Sequence, residues 1–285
     1  DEQRKGQVAL AESFAVVVAL HLRLGDLWAA TGHGDLAGVA YGEALAFAER
    51  ARTGAIVEWE DWDCPSCGAP LVPAGRPDPS TVVSAAGHLR THGMGGAADW
   101  IEAYARFGFH PDAHRDLASV HDRLGDLALA GDDLEAARRH HGAAAAARRG
   151  LYGLYEGAWR QADEVGAEVS GDDAELLEAG RVFSASLRSL AVVEYLAGRH
   201  DEARALTAEA LAVTETLAAR VPADLETGRE LAAVHTEAAR LATAEGDLVG
   251  AGRHLGEAVA ALRRVHRAAP DEPAVALALV DALVR

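Results

Sequence analysis

Cysteine, aromatic side chains and long apolar runs are all scarce in this chain of 285 residues. With only two cysteines, a framework of disulfides cannot hold the fold together. No stretch of about 18 apolar residues exists, so no membrane-spanning helix is expected. The glycine-rich signatures of nucleotide-binding loops and of serine hydrolases are also missing. Because hydrophobic residues still make up 49% of the chain, its stability must come from an aliphatic core.

Basic residues are few as well: 27 lysines and arginines stand against 44 acidic residues, for a formal charge of −17. Such a chain repels phosphate backbones, so duplex nucleic acid is not expected as a partner. A targeting segment is not recognisable, and a Cys-x-x-Cys pair suits a reducing compartment. These observations predict a cytoplasmic protein.

A repeated pattern dominates what is there: an Ala/Leu-rich stretch runs into a short polar turn, and a second such stretch follows. It occurs four times, at 24–45, 124–144, 190–211 and 238–259. Ala and Leu favour helices strongly, so each unit is predicted to be a helical hairpin. Repeated hairpins bury their apolar faces against their neighbours, which predicts an all-α solenoid of antiparallel helical hairpins.

Proline divides the chain into three predicted parts: a first hairpin at 1–53, an insertion at 54–96, and helical repeats at 97–285. Five of the nine prolines lie in the insertion, which makes a continuous helix there implausible. A short segment at 97–107 and a capping helix at 272–284 are predicted to flank the later hairpins. Pro111 is predicted to begin a helix, and Asp132 or Asp133 to cap its partner.

The spacing of small residues resembles that of tetratricopeptide repeats (TPRs). In that family a turn glycine is followed by small residues where two helices cross. This chain shows them in its third and fourth units: Gly198, Ala203 and Ala210; Gly246, Ala251 and Ala258. In the second unit Gly125 lies at the crossing itself, with Ala137 and Ala144 opposite. The first unit needs one inserted residue around His33 to fit. The resemblance implies a helical scaffold that binds a protein or peptide. The resemblance also places a binding groove along the first helix of each hairpin, with these candidate partner-binding residues: Asp122, Asp126, Arg188, Tyr195 and Arg240. Arg188 and Arg240 are candidates to clamp a carboxylate of the partner.

The insertion contains the residues best suited to metal chemistry. Cys64 and Cys67 are two residues apart, and CPSCGAPL resembles the CPxCG knuckle of a zinc ribbon. His88 and His92 are four residues apart, so on a helix they share one face. Together these four side chains offer the ligands of a closed, structural zinc site. Twenty residues separate Cys67 from His88, longer than the connection in a DNA-reading finger.

Other interpretations stay open at this point. The knuckle could pair with the same knuckle of a second chain, hold no metal, or act as a redox dithiol. With three ligands instead of four, zinc could bind water and support hydrolysis.

The leading function is a TPR-type scaffold with structural zinc. The alternatives are a metal-dependent enzyme or small-molecule sensor using a pocket between insertion and solenoid, and a regulatory module of a larger protein that does not begin at Asp1. A homo-oligomer is also open. His121 and His235 occupy equivalent repeat positions, which favours a packing role for both.

Overall fold

In a computed structural model, the described residues are 2–54, 62–63, 66–72, 79–93, 111–164, 172–222 and 224–269. They form nine helices and one short antiparallel strand pair. The helices are α1 (Glu2–Ala30), α2 (Gly34–Gly54), α3 (Pro79–Thr91), α4 (Pro111–Ala130), α5 (Leu134–Glu164), α6 (Asp172–Leu196), α7 (His200–Arg220), α8 (Leu225–Ala244) and α9 (Leu248–Ala268), and the strands are β1 (Trp62–Asp63) and β2 (Pro70–Val72). The chain divides into two units, 1–127 and 128–285.

The turn between the two helices of a hairpin is built the same way four times. One residue in each turn has a positive φ: Gly32 (79°), Asp132 (60°), Gly198 (76°) and Gly246 (83°). The following backbone N–H reaches back five residues, as in His33 N to Trp28 O at 2.8 Å and Arg199 N to Glu194 O at 2.8 Å. This is the Schellman ending of a helix, in which a left-handed residue lets the chain reverse. Aspartate is one of the few side chains that tolerates that conformation, so Asp132 can replace glycine.

Small residues recur at fixed distances after each turn, and they are buried. The residues five and twelve positions after it are Ala37 and Ala44, Ala137 and Ala144, Ala203 and Ala210, and Ala251 and Ala258, each at most 4% exposed. A methyl group at these points lets neighbouring helices approach closely. The first unit follows this spacing from Gly32 without any additional residue, so the predicted insertion around His33 is wrong. Gly34 simply begins α2.

Each unit has an aliphatic core of its own. In the first unit, Val18, Ala44, Ala48, Leu117 and Val120 form one buried cluster from α1, α2 and α4. In the second, Leu231 and Ala232 of α8 pack on residues of α9. Phe183 of α6 stacks on Tyr152 of α5, with ring centroids 5.8 Å apart. Small and branched aliphatic residues make up most of the buried hydrophobic residues in the described part of the chain, which matches the low aromatic content.

The described part of the chain therefore has an all-α, TPR-like solenoid fold of antiparallel hairpins, and that prediction is confirmed. Pro111 begins α4, and Asp133 caps α5 by accepting a hydrogen bond from Ala136 N at 2.9 Å, as expected. The predicted segments at 97–107 and 272–284 lie outside the described residues. Among the described helices, none is both long and apolar enough to cross a bilayer.

Candidate metal centre and binding faces

The strand pair positions the second cysteine of the knuckle. β1 and β2 pair antiparallel, with Trp62 opposite Val72 and Asp63 opposite Pro70. Cys67 lies in the turn that joins them and is exposed to solvent. The next residue, Gly68, has φ of 73°, a conformation that glycine adopts without strain. The turn therefore presents the Cys67 thiol at the surface of the insertion.

Helix α3 positions the two histidines. Ala85, Ala86 and Leu89 are fully buried, so this face anchors the helix. His88 lies on the neighbouring face, and His92 follows directly after the last helical residue, with its N–H donating to Leu89 O at 3.1 Å. The two imidazole rings lie 4.6 Å apart between centroids. One anchored helix end thus holds both rings side by side.

The strand turn and the helix end bring three potential ligands together. Cys67 Sγ lies 3.2 Å from His88 Nε2, and one ligand atom each of Cys67, His88 and His92 falls within 4.8 Å of the others. Around tetrahedral zinc, with bonds of about 2.3 Å to sulfur and 2.0–2.1 Å to nitrogen, sulfur and nitrogen ligands lie about 3.5 Å apart. A modest adjustment of side-chain rotamers therefore suffices to place an ion between the three atoms. Cys64, the fourth predicted ligand, lies outside the described residues.

The predicted partner-binding residues all lie on first helices of hairpins. Asp122 and Asp126 are on α4 in the first unit, Arg188 and Tyr195 on α6, and Arg240 on α8 in the second unit.

Arg188 is engaged within the second unit by an acidic residue that the sequence did not single out. Its Nε and Nη2 donate to the two carboxylate oxygens of Glu230 on α8, at 3.0 and 3.1 Å. Ser184 Oγ also donates to Glu230, at 2.9 Å. A bidentate ion pair of this kind holds a guanidinium in one orientation. Arg188 therefore ties α6 to α8, and this pair engages two of the five N–H donors of its guanidinium.

Arg240 and Tyr195 are more available. The Arg240 side chain is 60% exposed, and its Nη1 donates to the nearly buried Glu237 of the same helix at 2.7 Å. Tyr195 is half-buried and meets the ring of His200 edge-on, with centroids 4.7 Å apart. The two residues offer a guanidinium and an aromatic ring on the first helices of the second unit.

Two features of the second unit escaped the sequence reasoning because their partners are far apart in the chain. Glu194 is nearly buried and receives Arg138 Nε at 3.1 Å as well as Arg199, which joins α5 to the α6–α7 turn. His235 and His254 meet with their Nδ1 atoms 3.2 Å apart. An acidic residue at a buried helix position is the only sequence signal that could have indicated the first of these.

Comparisons with known proteins add similarity of fold only. No protein-family model matches the chain, and no curated protein matches it. Solved structures that resemble it include a thermophilic TPR protein from Thermus thermophilus (18% identity, 94% of this chain and 100% of that one, TM-score 0.32). Others are a circular tandem repeat protein with a novel repeat topology (17%, 97% and 66%, TM-score 0.42) and the S. pombe nuclear import adaptor Nro1 (9%, 96% and 99%, TM-score 0.33). At such low identities and TM-scores these similarities say nothing about function, and the TPR-like class rests on the chain's own hairpins.

Proposed function

We propose that the protein is a scaffold that binds a protein or peptide along the first helices of its hairpins. The observation that carries this proposal is the accessible side of α6 and α8. Ala191 and Ala239 occupy equivalent repeat positions and are buried, while the residues one position later, Val192 and Arg240, remain accessible. Hairpin packing therefore buries one side of each of these first helices and leaves another side accessible to a partner. With Arg240 and Tyr195 on it, this side suits a segment that carries a carboxylate and an apolar or aromatic group.

Selection of binding peptides from a random library against the full chain tests this proposal. Arg240→Ala and Tyr195→Ala should each weaken the selected peptides by at least about tenfold, because central aromatic and arginine side chains dominate most interfaces. Arg263→Ala is the matched control, since Arg263 is an exposed arginine on α9, the second helix of the same hairpin. Failure to select any peptide, or equal weakening by the control, would overturn the binding face.

We also propose that zinc binds Cys67, His88 and His92 in the insertion, with Cys64 as the fourth ligand. The support is the convergence of three ligand atoms from a strand turn and a helix end that are 21 residues apart. Four protein ligands make a closed site, so its role would be to staple the proline-rich insertion. The site would raise stability and take no part in partner chemistry.

Elemental analysis of the purified protein tests the zinc proposal. One zinc per chain is expected, lost in Cys67→Ser and in His88→Ala together with a lower melting temperature. His33→Ala, an exposed histidine of the first unit, should keep the metal. Absence of zinc from the wild type, or its retention in His88→Ala, contradicts the assignment. Zinc that survives Cys64→Ser would instead show a three-ligand site open to water.

A further inference from the structure

A second pair of histidines meets in the last hairpin, far from the insertion. His235 lies on α8 and is only 7% exposed, while His254 lies on α9 and is half-buried. Their Nδ1 atoms are 3.2 Å apart and their ring centroids 5.5 Å apart, with the rings tilted by 38°. Nδ1 is one of the two ring atoms through which imidazole binds metals.

The hydrogen bonds around the pair assign the protons. Arg253 Nη2 lies 3.2 Å from His254 Nε2, and because arginine only donates, this nitrogen accepts. Neutral His254 then carries its proton on Nδ1 and donates it to Nδ1 of His235. Burial is the main cause that lowers the pKa of both imidazoles, so both are neutral at pH 7. One proton thus lies between the two Nδ1 atoms, bonded to His254 and accepted by the lone pair of His235.

A metal ion beside the pair can bind both Nδ1 atoms in place of the proton. With zinc–nitrogen bonds of about 2.0–2.1 Å in tetrahedral geometry, two nitrogen ligands lie about 3.3 Å apart, close to the distance seen here. The displaced proton moves to Nε2 of His254, so the ring stays neutral and no proton leaves the pair. Arg253 then gives up its bond to this ring, which its exposed side chain can do by turning into solvent.

Two carboxylates and a cavity lie on the His235 side of the pair. Glu257 lies one turn after His254 on α9, and Glu215 lies on α7; neither makes an ion pair with another described residue. Both line a cavity of about 290 Å³ together with His235 and Arg264. The cavity has room for water ligands, and the two carboxylates offset the positive charges of Arg253 and Arg264.

We propose that His235 and His254 bind a divalent transition-metal ion through their Nδ1 atoms, with water completing the shell and Glu257 becoming a ligand after its side chain turns toward the pair. Borderline ions such as Zn²⁺ prefer this mixture of imidazole and carboxylate. The ion would join α8 to α9 in the last hairpin. This site shares no residue with the candidate centre in the insertion, so neither proposal depends on the other.

Zinc and cobalt titrations of a Cys67→Ser/His88→Ala variant test this site without interference from the insertion. We expect one equivalent of Zn²⁺ by calorimetry, and a Co²⁺ spectrum without the charge-transfer band of a thiolate. Adding His254→Ala should weaken zinc by at least about tenfold, and adding Glu257→Gln by several-fold, because each removes a ligand. His266→Ala, a half-buried histidine of the same helix, is the matched control and should not change the affinity.

Thermal unfolding provides a second readout that does not depend on calorimetry. In the same Cys67→Ser/His88→Ala background, saturating Zn²⁺ should raise the melting temperature, and a chelator should reverse the rise. The rise should vanish with His254→Ala and persist with His266→Ala. No saturable zinc binding in the background protein, or equal behaviour of the two histidine variants, would overturn the proposal. His254 is only half-buried, so its alanine variant is expected to fold, which circular dichroism without metal checks.

Discussion

Replacement of Gly25 by alanine should destabilise the first hairpin, although alanine is normally the better helix former. Gly25 is buried in α1 where α2 crosses it, and an added Cβ would lie 2.5 Å from Cδ1 and 2.8 Å from Cζ of Tyr41. The Tyr41 ring cannot easily move, because it is 3% exposed and its hydroxyl donates to Asp26 at 2.8 Å. Burial, followed by that hydrogen bond, raises the pKa of Tyr41 to about 12.

The magnitude follows from two opposing effects. Glycine to alanine within a helix gains about 0.5–1 kcal/mol from lower backbone entropy in the unfolded chain. Forcing a methyl group into a packed ring costs about 1–3 kcal/mol, and the upper part of that range applies because several ring atoms lie too close. The net expectation is a loss of about 1–2 kcal/mol in the free energy of unfolding.

Urea unfolding followed by circular dichroism measures this loss, with Gly42→Ala as the control. Gly42 is exposed in the middle of α2, and a Cβ there meets nothing within 4 Å, so this variant should gain about 0.5–1 kcal/mol. The loss from Gly25→Ala should also shrink in a Tyr41→Ala background, since the clashing ring is gone. A Gly25→Ala protein as stable as Gly42→Ala would refute the close packing of Tyr41 on α1.

Further predictions concern the second unit. A double-mutant cycle of Arg188→Ala and Glu230→Ala should show a coupling free energy of about 1–2 kcal/mol in urea unfolding, discounted for the exposed part of the arginine; coupling near zero would contradict the bidentate ion pair. The pKa values of His235 and His254 are lowered in the folded state. The free energy of unfolding should therefore be highest above the pKa of an unfolded histidine, about 6.5, and should decrease as the pH falls below it. His254→Asn should flatten that decrease in unfolding measured between about pH 5 and 8, and an unchanged profile would argue against the pair as its source. Asp224→Ala should lower the free energy of unfolding by about 1–2 kcal/mol in thermal or urea unfolding. Asp224 caps α8 by accepting a hydrogen bond from Thr227 N at 2.8 Å, and it also pairs with Arg181 of α6. A loss below a few tenths of a kcal/mol would exclude the cap.

Local sequence determined the helices and turns. Ala/Leu-rich stretches and their breaks predict hairpins because helix propensity and turn chemistry act over a few residues. The spacing of small residues also predicted where the two helices of a hairpin cross, because a close crossing needs a small side chain at a set distance from the turn. The first unit shows the limit. GHG at 32–34 contains two glycines, and only the folded turn reveals that Gly32 takes the positive φ while Gly34 starts the next helix.

Tertiary structure decided which side chains meet. The pattern of Cys67, His88 and His92 indicated metal ligands, but only packing of the strand turn on α3 brings the thiol within 3.2 Å of an imidazole. Arg188 was predicted to contact a partner, and only the folded structure shows that a carboxylate 42 residues later also binds its guanidinium.

The physical reason is the range over which each interaction acts. Helix propensity, capping and turn conformation depend on neighbours within a few residues, so the sequence by itself determined an all-α repeat of hairpins. Ion pairs, shared protons and metal ligands depend on distances of about 3 Å between residues that are far apart in the chain. Only the close packing of one helix on the next sets those distances, as His235 and His254, 19 residues apart, demonstrate.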